Sequence, residues 1–267
     1  MEKSIDDYQL LYILGEGSFG KVYEAINSNN KTIALKVINI PELGSDNEDR
    51  DSLVGDLKNE IDTLKKLSKP ECYPFIICYY DSYFDEKNNM FLIEMEYIEG
   101  LSMFDFINLH YNNENKNKYL LLIARDVSLG LNYVHKKNII HNDIKLENIM
   151  IQDETYVPKI IDFGLSCISQ NGSCIYPFGS FNYIAPEFEP DNLRLPASDM
   201  WALGVSLYVG VKLKFPFDNN KEIQNKNVNL NSSNKVLNDV VNGLLIKDPS
   251  KRLTGEDVVK MVDKSLN

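Results

Sequence analysis

The run His141-Asn142-Asp143-Ile144-Lys145-Leu146-Glu147-Asn148, followed fourteen positions after Asn148 by Asp162-Phe163-Gly164, constrains this 267-residue chain more than any other feature. It sets a carboxylate, a lysine and an amide on one short loop and a second carboxylate on the next. Together they are the equipment for holding two magnesium ions, a triphosphate and a hydroxyl in one place.

The surrounding pattern is mixed. Residues 8–15, 21–26 and 31–39 are rich in β-branched and aromatic side chains and are separated by Gly or Asn turns, which predicts three strands. An acidic loop over 41–49 precedes a helix from about 50 to 67, where Leu53, Leu57, Ile61, Leu64 and Leu67 form one apolar stripe. Two more strands are expected near 77–84 and 90–97. Beyond Gly100 the periodicity turns helical: 118–135 (Leu120, Ala124, Val127, Leu131, Val134), 197–211, 233–246 and a last helix near Thr254. The Asn-rich stretch 219–234 reads as a surface loop. The fold class is α+β: a small antiparallel sheet lobe with one helix, about 1–97, and a larger helical lobe, about 98–267, in one domain.

Leu14-Gly15-Glu16-Gly17-Ser18-Phe19-Gly20-Lys21-Val22 is a glycine-rich turn whose main-chain amides can approach phosphate oxygens. Alone it is a weak signal, since a plain hairpin looks the same. A dinucleotide-binding turn would lead into a helix, whereas Lys21 to Ile26 reads as a strand. Lys36 lies in the apolar strand Ile33-Ala34-Leu35-Lys36-Val37, where a lysine also serves as an edge residue facing solvent. Glu60 sits mid-helix beside the apolar stripe and is either a partner for Lys36 or a solvated surface residue. Asp56 and Asp62 are the substitutes.

In this order and at these separations, the motifs resemble the eukaryotic-type protein kinase family, serine/threonine type, over about residues 8–264. The resemblance implies a bilobal fold, ATP as phosphate donor, Mg2+ as the metal with Mn2+ as a substitute, and protein or peptide substrates. It makes Asp143 the catalytic base, Lys145 the charge-neutralising group, and Asn148 and Asp162 the metal ligands. Lys36 would hold the α- and β-phosphates and pair with Glu60, while Leu14 to Val22 covers the phosphates. Met95 would be the gatekeeper and backbone groups of Glu96 and Ile98 would bond adenine. Val22, Ala34 and Met150 would sandwich the ring, although each could equally be core. Ser180 takes the place of the threonine that bonds the aspartate and lysine. Lys145 in its Asp-Ile-Lys-Leu-Glu-Asn setting and this hydroxyl favour serine/threonine specificity. Phe181 and Ile184 hint at an apolar preference after the acceptor. By the same resemblance Asp199 of Asp199-Met200-Trp201-Ala202-Leu203-Gly204 would anchor the catalytic loop, and Arg252 after Lys247-Asp248-Pro249 would pair with Glu187 of Ala185-Pro186-Glu187, all holding the large lobe together.

The pattern departs from the family at Asn142, which stands where most members carry arginine. The other two basic sites that capture a phosphate on the activation segment fall on Cys167 and Asp56. With no guanidinium among the three, activity independent of activation-segment phosphorylation is expected. A shortened connection after Phe217 makes docking through the family's additional helix doubtful. The competing reading is a pseudokinase scaffold, which predicts damage at Lys36, Asp143, Asn148 or Asp162; all four are intact. Phosphorylation of a small molecule is disfavoured by the motifs from Ala185 onward.

A formal charge of −11 argues against nucleic acid as a partner and mildly favours basic peptides. No apolar run is long enough to cross a bilayer, and residues 1–7 lack the apolar core of a secretory signal, so a cytoplasmic location is expected, with the nucleus also open. Cys72, Cys78, Cys167 and Cys174 have neither metal-ligand spacing nor nearby histidines and are expected as reduced thiols.

Overall fold

The β-branched and aromatic runs of the first hundred residues form one antiparallel sheet. In the computed structural model, which describes residues 3–17, 20–40, 47–110, 112–169 and 171–266, its strands are β1 (Gln9–Gly17), β2 (Gly20–Ile26), β3 (Thr32–Asn39), β4 (Tyr79–Asp85) and β5 (Met90–Glu96). Their spatial order is β1-β2-β3-β5-β4. Ser18, Phe19 and most of the acidic stretch 41–49, residues 41–46, lie outside the described residues. The strands are joined where the sequence supplies turn chemistry. Between β2 and β3, Asn27 Oδ1 accepts from the backbone of Asn29 and Lys31, and Asn30 adopts φ 58°.

Strand β3 lies at the centre of the sheet, and Ile33 to Ile38 are all buried. With Tyr8, Ala25 and Leu92 its Ile33, Leu35 and Val37 form a core cluster. Each large apolar side chain so buried stabilises by about 1.5–3 kcal/mol before entropy is charged. Helix α1 (Asn47–Leu67) follows its predicted stripe, with Leu57, Ile61, Leu64 and Leu67 buried.

The helical remainder holds β6 (Gly100–Ser102), α2 (Met103–His110), α3 (Lys116–Lys136), β7 (Ile139–Ile140), β8 (Ile149–Gln152), β9 (Pro158–Ile160), β10 (Cys167–Ile168), β11 (Cys174–Ile175) and β12 (Leu193–Arg194). It ends with α4 (Pro196–Lys212), α5 (Asn220–Asn225), α6 (Lys235–Leu244) and α7 (Gly255–Leu266). Helix α4 is buried on every side from Ser198 to Leu207, as its mainly apolar composition requires. Gly204 makes this possible, because a Cβ there would lie 2.8 Å from Leu244 Cβ. The chain divides into two compact units, Met1–Tyr73 with Ile77–Glu99 and Pro74–Ile76 with Gly100–Asn267. Residues 74–76 join the second through a parallel bridge from Ile76 to Ile160 and a hydrogen bond from Ile160 N–H to Phe75 O at 2.9 Å.

Three expectations need correction. The stretch 219–234 is not all loop: Asn219 accepts from Glu222 N–H, capping α5, and buries Ile223 beneath it. Helix α2 was not foreseen, although Met103, Phe106 and Ile107 at helical spacing are buried. The cysteines are not free thiols. Cys72 is bonded to Cys78 and Cys167 to Cys174, with Cα separations of 5.4 and 6.6 Å. Each pair is brought within bonding reach by a local turn of the chain, which spacing alone does not reveal.

Candidate active site

The loop after β7 is built on one buried carboxylate. Asp199, in the first turn of α4, accepts from the N–H groups of His141 and Asn142, each at 2.9 Å, and contacts His135 Nε2 at 2.8 Å. Burial pushes this carboxyl up, but the bond and charge of His135, together with His141, outweigh it and hold it below the usual carboxylate range. His141 is packed on Phe163, with ring centroids 4.7 Å apart. Its Nδ1 accepts from Asp143 N–H at 3.2 Å and its Nε2 faces Ile161 O at 3.1 Å, a pair of contacts that puts the ring proton on Nε2.

Asp143 therefore emerges from a backbone fixed at both preceding residues. Its carboxylate is 5% exposed and saturated with donors: Lys145 Nζ at 2.6 Å and Asn148 Nδ2 at 2.9 Å on Oδ2, and the Ser180 hydroxyl at 2.7 Å on Oδ1. Lys145 Nζ also reaches Ser180 Oγ at 3.3 Å. Burial again raises the carboxyl, and the bonds from Lys145 and Ser180 more than offset it, so Asp143 stays ionised below its ordinary value.

Strands β8 and β9 bring the two oxygen donors together. Ile149 pairs with Ile160, and Ile161 N–H donates to Asn148 O at 2.9 Å, so Asn148 and Asp162 leave the same end of one ladder. Asp162 has φ 60°, in the left-handed region, and its Oδ1 accepts from Gly164 N–H at 3.3 Å. Among the described residues no group of three or more histidine, cysteine and acidic side chains stands together to hold a metal unaided. An amide and a carboxylate suit magnesium nonetheless, because that ion usually takes one or two protein oxygens and completes its shell with water and phosphate.

The segment from Asp162 to Glu187 is anchored along its length. Asn142, at φ 66°, donates to Leu165 O at 2.9 Å and to Cys167 Sγ at 3.2 Å, while its own buried Oδ1 finds no partner among the described residues. β10 pairs with β7 and β11 with β12. Arg194, 3% exposed, donates to the carbonyls of Tyr176 and Phe178, just before Ser180. Arg252 closes a two-pronged ion pair on Glu187 at 2.7 and 2.8 Å.

In the first unit, Lys36 Nζ meets Glu60 Oε1 at 2.6 Å with both side chains buried. The register places Lys36 between Val22 of β2 and Ile93 of β5. Ala34 faces Met95 across the ladder; these and Ile98 are buried, and Val22 is half-buried. Glu96 N–H already donates to Cys78 O at 2.8 Å, so it has no part in holding a base. Of the described glycines in the turn, Gly20 is dictated by packing: at φ +148° a Cβ would lie 2.1 Å from Val37 O. Gly15 and Gly17 have open space where a side chain would go. Met150 is half-buried on β8 of the second unit, opposite Ser102 and Lys159.

Arg194 lies in none of the motifs of the sequence. Its rarity was the usable signal, since the chain has only four arginines.

An ionised buried aspartate flanked by lysine, hydroxyl and oxygen donors, on this α+β frame, defines the protein kinase class. The family model for the protein kinase domain matches residues 8–262, and the chain belongs to that family. It is 31% identical over 266 residues to a carbon catabolite-derepressing protein kinase of Candida glabrata, an alignment covering 96% of this chain and 41% of that one. It is 36% identical over 220 residues to sucrose non-fermenting protein kinase 1 of Fusarium virguliforme, covering 81% of this chain and 29% of the relative. Human NUAK family SNF1-like kinase 2 is 29% identical over 260 residues, covering 94% and 39%. The chain thus spans less than half the length of these relatives. No helix among the described residues is long and apolar enough to cross a membrane.

Proposed function

We propose that this chain transfers the γ-phosphate of ATP to serine and threonine hydroxyls of proteins, and does so without a phosphate on its own activation segment. The observation that carries the reading is Asp143, ionised and aimed by Lys145, Asn148 and Ser180.

In this reading Asp143 orients the acceptor hydroxyl and takes its proton. Lys145, already 2.6 Å from that carboxylate, offsets charge developing on the phosphate. Asn148 and Asp162 are the residues that would hold magnesium, which supplies charge neutralisation across the phosphates. The Lys36–Glu60 pair presents an oriented ammonium to phosphate oxygens, and the main chain at Gly15 and Gly17, unobstructed by side chains, approaches them. Within the first unit, Ala34, Val22 and Met95 offer apolar surface for the base, and Ile98 and the carbonyl of Glu96 its polar contacts. Phe181, 52% exposed, supports an apolar preference beside the acceptor. A charge of −11 disfavours nucleic acid as a partner. A cytoplasmic location completes the proposal.

Independence from phosphorylation is supported by what occupies the receptor positions: an amide, a bonded cysteine and a half-buried acid, Asp56. The anchoring that a phosphate would supply comes instead from Arg194 and Asn142.

The test is radiolabelled transfer to a degenerate peptide library, with Asp143→Asn as control and phosphatase-treated enzyme alongside. Transfer to serine and threonine peptides, lost in the variant and kept after phosphatase, is expected. Transfer unaffected by Asp143→Asn would overturn the catalytic assignment. A large loss on phosphatase treatment, traced to a phosphate within 165–180, would overturn the second half.

A further inference from the structure

Each cysteine of the Cys167–Cys174 pair is the first residue of a two-residue strand. Cys167 pairs with Ile140, the residue immediately before the loop His141-Asn142-Asp143, and Cys174 pairs with Arg194. Two-residue ladders are marginal by themselves. The sulfur–sulfur bond joins β10 to β11, so that the two hydrogen-bonded ladders, β7 with β10 and β11 with β12, are cross-linked into one frame. Arg194 then carries the frame to the backbone at Tyr176 and Phe178, two residues from Ser180, whose hydroxyl holds Asp143. On the other side, Asn142 Nδ2 lies 3.2 Å from Cys167 Sγ.

We propose that Cys167 and Cys174 are a redox modification site that sets the activity of the neighbouring catalytic loop, with the disulfide as the active form. The inference rests on the kinase reading above. Both cysteines are half-buried, within reach of a small oxidant. A peroxide oxidises one thiol to a sulfenic acid, releasing one water. The second thiolate displaces the hydroxyl group, forming the S–S bond and releasing another water. A dithiol reverses the step by exchange, leaving two protein thiols and its own cyclic disulfide. In a reducing compartment such a pair is transient and sensing rather than permanent, which fits a switch. Reduction cuts the link between the two short ladders, freeing residues 169–179 and loosening Ser180 from Asp143. The chemistry takes the place of the phosphate that the residues at 142 and 167 cannot receive.

The experiment poises the purified protein with hydrogen peroxide or dithiothreitol, maps the thiols by differential alkylation, and follows peptide phosphorylation and amide hydrogen exchange. The reduced form is expected to phosphorylate peptide about fivefold more slowly at subsaturating peptide, with the KM for ATP unchanged. Exchange at Tyr176 and Tyr183 is expected to quicken. Cys174→Ser, which keeps the Asn142–Cys167 contact, should behave as the reduced form under both conditions, while Cys72→Ser/Cys78→Ser should respond as the parent does. Oxidised and reduced forms with equal exchange across 165–183, or equal rates, overturn the proposal, as does failure of the two thiols to pair. Absence of transfer in both states overturns the kinase reading instead, and the exchange comparison still decides whether the pair orders the segment.

Discussion

The side-chain amide of Asn142 donates to the carbonyl of Leu165 at 2.9 Å, tying the catalytic loop directly to the backbone that follows Asp162-Phe163-Gly164. Asn142→Ala removes that bond and leaves a carbonyl to find another donor, at a cost of about 1–3 kcal/mol. The expected result is a kcat/KM for peptide lower by about fivefold or more with intact ATP binding, read by steady-state kinetics.

Arg194 anchors the same segment further along, through the carbonyls of Tyr176 and Phe178. Lysine keeps the charge but lacks the fork. Arg194→Lys is expected to raise the KM for peptide and to weaken the segment by about 1.5–3 kcal/mol, the range for bonds from a charged donor. Faster proteolysis between 170 and 180, beside an unchanged global Tm, would separate this local effect from general unfolding.

The Lys36–Glu60 pair is buried on both sides. Glu60→Gln leaves an ammonium with a weaker partner, and Lys36→Met removes the ammonium that faces the buried carboxylate. The second change is expected to destabilise the sheet unit by about 3–5 kcal/mol. It should also lower kcat by about a hundredfold or more, if Lys36 is aimed at phosphate. A variant that unfolds at lower denaturant yet keeps its kcat would remove Lys36 from the machinery.

Arg252 and Glu187 are expected to show strong coupling. Either truncation alone buries an unpaired charge, worth about 3–5 kcal/mol, whereas the double variant Arg252→Met/Glu187→Gln should recover much of the loss. A double-mutant cycle by denaturant unfolding measures this, and additive losses would contradict it.

Acid stability has a defined sign. Burial raises the carboxyl of Asp85, but bonds from Asn88, Ile5 N–H and Ser4 bring it down to about 2, against 3.8 unperturbed. A depressed carboxyl contributes stability that is fully present above its unfolded value and is lost as pH falls through the folded one. The gap in Tm between the parent and Asp85→Asn should therefore be constant near neutrality. It should close as pH drops from about 4 to about 2, as read by thermal melts.

The candidate site residues Asp143, Lys145, Asn148 and Asp162 were legible as a group because they lie close together in sequence. The long helices were legible for a similar reason: Leu120, Ala124, Val127, Leu131 and Val134 repeat over many turns, and all are buried. Helix α2 has about two turns and gives too little pattern, and a strand of two residues such as β7 or β10 gives none.

What the sequence by itself determined was the class of chemistry and the α+β plan, since both follow from local residue types and periodicity. Tertiary structure alone decided how the segment after Asp162 is tied down: Arg194 reaches Tyr176 from 18 positions away, and Cys167 finds Cys174 rather than remaining a thiol. These partners are chosen by how helices and short ladders pack, and no local pattern in the chain encodes that choice.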